Sequence, residues 1–321
     1  NTNSVVFRFV QYCNVILGTG VAGMKFRGLL VASGLAMLNF CAPVALAGGF
    51  YLQEQSASAI GTAFAGASAM PRDASIVYYN PAGMTALGRG QVYAGVDILA
   101  PWADLSDDGS TVLGAPVTGV DSDNPTSIAY LPNLHIAYPI YEDRVWAGLA
   151  VSTPFGLSTK YKNNWFGRYD AIKSELTTVD FAPSVAVKIN DWLSLGGGID
   201  IQFADAELTN AVTNGVTEGL SKLKGRDWST GFNAGIFIKP RTDTAVGVHY
   251  RSRMFHTLDG RLEVTGVAGL NESTPGIADL NLPDIVSTSI VHELTDRWTV
   301  MGQANWFGWN RFEGVRAIRK T

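Results

Sequence analysis

The chain has 321 residues, of which 46% are hydrophobic and 16% charged, with a formal net charge of −4. This composition excludes a disordered polypeptide and a strongly basic nucleic-acid binder. A mean hydropathy of +0.11 suits either a greasy soluble domain or a membrane protein whose apolar residues are dispersed.

Met24-Lys25-Phe26-Arg27 supplies a basic start, residues 28–40 an apolar stretch, and Ala45-Leu46-Ala47 a small-residue cleavage site. Residues 24–47 therefore read as a secretory signal peptide. The apolar stretch is too short for a membrane anchor, and Asn39-Phe40-Cys41 is too bulky for a lipidation site. Residues 1–23 precede the plausible initiator Met24 and read as a misplaced start or a fused upstream sequence. Cleavage would remove Arg8, Lys25 and Arg27 and no acids, leaving 21 basic against 28 acidic residues, a formal charge of −7. It would also remove both cysteines, Cys13 and Cys41, so the exported protein is expected to fold without disulfides.

Residues 48–88 are rich in small side chains and lack strand alternation, so short helices and turns are expected there. Such a segment suits a plug inside a wide barrel, or a periplasmic extension. From residue 89 onward the pattern changes to short runs of period two. Strands are predicted near 90–99, 134–138, 145–151, 179–188, 193–204, 232–238, 246–250, 285–291 and 298–306. One face of each is apolar; the other is small or uncharged, which suits a lipid-facing exterior and a semi-polar lumen. Trp192, Trp298, Trp306, Trp309, Tyr138 and Tyr141 gather at strand ends, where a membrane interface favours such rings.

Connections alternate in length. Short turns are expected at 139–144, 190–192, 240–243 and 293–297, and long loops at 100–126, 152–178, 205–230 and 251–283. That rhythm belongs to an outer-membrane barrel. The fold class is therefore all-β, a transmembrane antiparallel β-barrel. Nine strands would leave open edges in hydrocarbon, so further strands beyond residue 321 are expected to complete the barrel begun at 89–321.

Several segments then become specific: 49–56, Ile60-Gly61-Thr62-Ala63-Phe64-Ala65-Gly66, Asp73-Ala74 and Asn80-Pro81-Ala82-Gly83-Met84. With 152–159, Trp165-Phe166-Gly167-Arg168-Tyr169, Leu282-Pro283-Asp284 and 306–312, they resemble the FadL family of outer-membrane long-chain fatty acid transporters, which includes TodX-like aromatic hydrocarbon channels. The resemblance implies about fourteen strands in a full-length protein, about nine of them here, around an N-terminal helical hatch. It makes Asn80, Pro81, Ala82 and Gly83 the hatch's signature turn. It also places Pro154, Phe155 and Gly156 at an inward kink of the third wall strand, opening a lateral hole. Proline and glycine at that point would interrupt regular pairing, in a kink or at an ordinary strand end.

The implied function is passive uptake of hydrophobic molecules across a Gram-negative outer membrane, long-chain fatty acids foremost, with outer-loop capture and lateral release. Aromatic hydrocarbon uptake is the alternative cargo; a water-filled porin and a secreted soluble β-sandwich are the alternatives of other classes. The four histidines are isolated, and no catalytic, metal or cofactor constellation is legible. For capture, Leu208, Val212, Val216, Leu220 and Leu223 have near-helical spacing and predict an amphipathic helix in the third long loop, which binds ligand or packs on a neighbouring loop. Trp165 and Phe166 would extend that surface, and Arg168 would suit a carboxylate head group. The expected partners are a hydrophobic small molecule, the bilayer with its lipopolysaccharide, and the outer-membrane assembly machinery, with no nucleic acid.

Overall fold

Period-two alternation brings all nine predicted runs into one antiparallel sheet. The computed structural model describes residues 13–19, 49–112, 114–312 and 314–319; the export signal read over 24–47 lies outside them. In chain order the strands are β1 (Cys13–Thr19), β2 (Gln91–Leu99), β3 (Thr111–Val112), β4 (Ala115–Pro116), β5 (Ala129–Tyr141), β6 (Val145–Ser152), β7 (Gly156–Lys160) and β8 (Lys173–Lys188). There follow β9 (Leu193–Thr213), β10 (Glu218–Arg241), β11 (Thr244–Arg251), β12 (Met254–Thr265), β13 (Glu272–Leu282), β14 (Ile285–Thr295), β15 (Trp298–Phe307) and β16 (Arg316–Arg319). The main path runs β2-β5-β6-β8-β9-β10-β11-β14-β15, with β1 added beyond β15. Those nine strands from β2 to β15 are the nine expected.

The sheet is apolar on its outside. Val92 is 69% and Ile199 57% exposed, while His135, Asp180 and Asp200 are fully buried on the opposite face. A soluble sandwich would hide the first set and expose the second, so this polarity marks a wall facing lipid. Tyr138, Tyr141, Trp192, Trp298 and Trp306 are exposed near strand ends, as an interfacial girdle requires. Trp309 departs from that expectation: it is buried, with its ring turned into the barrel against Phe50.

The short turns lie where predicted, and two of the long loops are different in kind. The 205–230 segment forms no helix: β9 and β10 continue as a paired ladder from Leu193↔Ile238 to Thr213↔Glu218. Leu208, Val212, Val216 and Leu220 are four apart, and four is an even number of strand steps as well as about one helical turn, so the spacing alone did not separate the two periods. The 251–283 segment likewise contains the hairpin β12–β13.

Inside the curled sheet sits a hatch with two single-turn helices, α1 (Ala57–Ile60) and α2 (Ile76–Tyr79), and a 3-10 helix over Pro81–Ala86. Its apolar side chains pack against Ala137, Trp146 and Ala182 near one end of the sheet and against Val291 and Met301 near the other, so the sheet curls round it. Asn80 starts the 3-10 helix: its Oδ1 accepts from Ala82 N (3.1 Å), and its Nδ2 donates to Ser68 O (2.8 Å) and to the wall carbonyl of Ile236 (3.0 Å). Pro81 fits the first helical position because its fixed φ suits the turn and no donor is lost. Ala82 is fully buried over Gly196, where an added Cβ would come within 2.5 Å of Ala82 N. Gly83 is equally constrained, by Ile76 Cγ1 at 2.5 Å.

Glycine at 196 is therefore what lets the turn reach the wall. Replacing Gly196→Leu should leave a heat-modifiable barrel with a displaced hatch. Conductance in planar bilayers is expected to rise severalfold, and conductance unchanged from the parent would show that the turn does not depend on this contact.

Candidate functional site: a broken wall strand against the hatch

Strands β6 and β7 are two halves of one wall strand. Both pair with β8, from Val145↔Val187 to Ser152↔Asp180 and from Gly156↔Thr177 onward. Residues 153–155 thus oppose only Thr178 and Val179, a one-residue bulge at the position of Pro154 and Phe155. On its other side β6 leaves β5 at Leu134↔Val151, while β5 continues against β2 to Ala129↔Leu99. The chain meets that side again at the antiparallel bridge Thr126↔Thr159 and at Lys160 N→Pro125 O (2.7 Å). Among the described residues no strand pairing joins 127–133 to 152–158, so the wall ladder is interrupted there.

The peptide groups freed by the break are satisfied from within. Gln55 reaches Thr153 with both ends of its amide, donating Nε2 to Thr153 O and accepting from Thr153 N, each at 2.9 Å. Leu52 N donates to Pro154 O (2.8 Å) and Gly156 N to Phe50 O (3.0 Å), so the start of the hatch pairs with the kink like a short strand. From the wall, Thr178 Oγ1 accepts from Phe155 N (3.0 Å) and donates to Phe155 O (2.8 Å). Gln55 is itself held by His135, whose Nε2 lies 2.9 Å from its carbonyl oxygen. Gln55 and Thr178 carried no sequence signal; they became legible only from the backbone groups they serve.

Around the kink the distant motifs converge. Phe155 lies 5.6 Å from Tyr51 and 6.1 Å from Phe50 between ring centroids, and Phe50 lies 4.8 Å from Trp309 and 5.5 Å from Phe312. This aromatic knot opens onto an apolar cluster with Leu176, Leu223, Leu258, Leu280 and Phe307, against which Leu208 packs. Leu208 and Leu223 are cross-strand partners. Val212 shares the Leu208 face of β9, whereas Leu220 lies on the opposite face of β10 from Leu223, as strand alternation requires.

Beside the hatch is a polar cluster that sequence reading did not single out. Buried Arg251 Nη1 contacts Asp180 Oδ2 (2.6 Å) and Asp200 Oδ2 (3.2 Å), and its guanidinium lies 4.8 Å from the Tyr78 ring. Asn233 Nδ2 donates to Asp200 Oδ1 (2.6 Å), and the Tyr78 and Tyr51 hydroxyls are 3.2 Å apart. The interior thus offers a charged, hydrogen-bonded side and an apolar side next to one another.

The predicted capture residues lie farther out. Trp165 is buried, stacked on Tyr161 at 3.8 Å with its Nε1 donating to Ala171 O (2.7 Å), and Phe166 packs on it at 4.9 Å. Arg168 is already engaged: Nε and Nη2 donate to Glu218 (3.0 and 3.1 Å), and Nη1 to the carbonyls of Thr118 and Trp165. Tyr169 donates its hydroxyl to the same carboxylate. Hydrogen bonding from Arg168 holds the Glu218 carboxyl below its ordinary range. Among the described residues no three His, Cys, Asp or Glu side chains assemble as a metal site.

Residues 38–320 match the family described as outer membrane protein transport protein (OMPP1/FadL/TodX). The chain is 27% identical to the long-chain fatty acid transport protein of Escherichia coli O6:H1, covering 92% of this chain and 73% of that one. Its fold is similar to that of a Pseudomonas aeruginosa FadL homologue, with TM-score 0.75, 24% identity, and 84% and 72% of the two chains covered. It is also similar to the Ralstonia pickettii toluene transporter TbuX, with TM-score 0.56, 16% identity, and 77% and 73% covered.

Because Glu218 titrates lower when folded than when unfolded, its tie to Arg168 is complete above the unfolded value, about 4.3, and is lost as pH falls through the lower folded value. Limited proteolysis should therefore cut the 161–172 loop faster at pH 3 than at pH 6. Glu218→Gln should be cut fast at both, and equal resistance of the parent at both pH values would show that the ion pair does not hold the loop.

Proposed function

Because the chain belongs to the OMPP1/FadL/TodX family of outer membrane transport proteins, we propose that it carries long-chain fatty acids and releases them sideways through a window beside the β6–β7 break. The family makes it an outer-membrane channel for hydrophobic compounds and a transporter, not an enzyme. The single observation that carries the lateral route is the kink itself, a wall strand whose backbone is completed by the hatch, next to an apolar cluster and an unpaired stretch of β5. Cargo moving along Leu208, Leu223 and Phe155 would reach the window without crossing the polar side of the lumen.

In this reading Trp165, Phe166, Leu208 and Val212 line the outer approach, Leu220 faces away from it, and Arg168 meets the carboxylate only if a ligand displaces Glu218. Asn80, Pro81, Ala82 and Gly83 fix the hatch so that Phe50–Leu52 meets Pro154, Phe155 and Gly156. Each methylene of a bound chain contributes about 0.8 kcal/mol when it leaves water, so apolar lining alone binds a long tail. The outer wall would contact lipopolysaccharide, and the strands would be inserted by the outer-membrane assembly machinery. Aromatic hydrocarbons are the second cargo class, favoured by the fold likeness to a toluene transporter.

Deleting Pro154 together with Gly156→Val removes the extra residue and should restore straight pairing. Oleate uptake by cells is expected to fall at least tenfold while the protein still shifts on heating in gels, and unchanged uptake would reject the lateral route. Binding assays with oleate and with toluene separate the two cargo classes.

A further inference from the structure

The wall has a second seam, three strands away from the kink. On one side β10 pairs with β9 without interruption from Glu218 to Ile238. On the other side β12 covers Leu220 to Arg226, β11 covers Asn233 to Arg241, and the ladder between them is missing. From Arg226↔Asp259 to Asn233↔Arg251 the β11–β12 side spends one residue more than β10, so the two halves are out of register by one. The gap is stitched by two side chains: Ser252 Oγ accepts from Phe232 N (2.8 Å), beside Ser252 N→Phe232 O (2.8 Å), and Asp227 Oδ2 accepts from Thr257 N (3.1 Å). The next strand pair is broken at the same height, since Arg251↔Ile285 and Met254↔Leu282 leave Ser252 and Arg253 facing Pro283 and Asp284 with no ladder. Ser252 therefore keeps only its link to Phe232, and Arg253 has strand pairing on neither side among the described residues.

Intact ladders hold neighbouring strands about 4.8 Å apart and leave no room for a ligand. Here an open groove of about 480 Å³ lies on the wall, lined by Gly231, Phe232, Ser252, Arg253, Phe255 and Asp284 among others. That volume lies within the range of sites for one small molecule, about 300–1,000 Å³. Its rim is aromatic and outward, with Phe232 53% and Phe255 54% exposed. Its back is thin: a Cβ at Gly231 would lie 2.8 Å from Met254 Sδ, and Met254 belongs to the interior apolar cluster. Arg253 places its guanidinium 4.5 Å from the Phe255 ring centre and makes no ion pair among the described residues.

We infer that this seam is a wall-side binding site for a single-chain amphiphile with a carboxylate head, the head on Arg253 and the tail over Phe232 and Gly231 toward Met254. Nothing in the family match or in the kink assigns such a site. A missing ladder supplies the space, the aromatic rim and Met254 suit an acyl chain, and an unpaired guanidinium suits a carboxylate bidentately. The inference rests on the long-chain acid reading of the cargo.

The test is photolabelling of the full chain in detergent with a diazirine-bearing long-chain fatty acid, followed by peptide mapping. Labelling is expected at Phe232, Arg253 and Phe255 as well as in the interior cluster that includes Met254, competed by oleate and at least fivefold less by methyl oleate. Arg253→Gln, an exposed position, should lower wall labelling at least fivefold while changing interior labelling less than twofold. Interior labelling without wall labelling, or wall labelling competed equally by the ester, would overturn the site and leave the cargo reading standing. Absence of labelling in both places would instead overturn the long-chain acid reading on which the site rests.

Discussion

A wall strand in hydrocarbon is heavily destabilised by unpaired peptide groups, and that constraint governs how the kink is built. At 153–155 the strand abandons its neighbour, yet every freed donor and acceptor finds a partner: the Gln55 amide, the Leu52 and Phe50 backbone, and the Thr178 hydroxyl. The break is tolerable because a second piece of backbone stands behind it. Hatch and wall are consequently a single hydrogen-bonded unit at this point, and a change in the position of residues 50–55 is a change in how the kink is held.

Close approach is the second requirement. The hatch reaches the wall where the lumen face carries glycine: Gly148 under Met84, Gly196 under Ala82, Gly235 under Asn80 and Gly247 under Ser68. Each is a place where a Cβ would collide with the hatch, so these four strands are thinned from within to seat one small turn. The side chains that seat it are small for the same reason, with Ala82 fully buried and Asn80 spending its amide on Ser68 O and Ile236 O. Packing and hydrogen bonding thus fix the hatch in one register relative to the kink.

The interior is divided between chemistries. Arg251 with Asp180 and Asp200 forms a buried charged cluster that touches the hatch through Tyr78, while Leu208, Leu223, Leu258 and Leu280 give an apolar surface that runs to Phe155. Buried charges of this kind are costly unless paired, and pairing them to one another leaves the apolar side free of them. An amphiphile is matched by that division, and a simple hydrocarbon by the apolar part of it alone.

The sequence by itself determined the nine strands and their faces, because alternation of period two is a local property and each run carries its own orientation. Pro154 and Gly156 also disturb a ladder whatever surrounds them, and β6 and β7 part between them. Tertiary structure alone decided the rest. Leu208 to Leu223 has a spacing that both helix and strand satisfy, and only pairing of β9 with β10 chose the strand. Arg168 looked like an open cation until the fold brought Glu218, fifty positions away in sequence, against it. Trp309 looked like a girdle ring until its packing on Phe50 turned it inward. Gln55 and Thr178 are ordinary residues whose roles exist only opposite a gap in the ladder, and a gap is defined by two strands together, so no single segment could announce it.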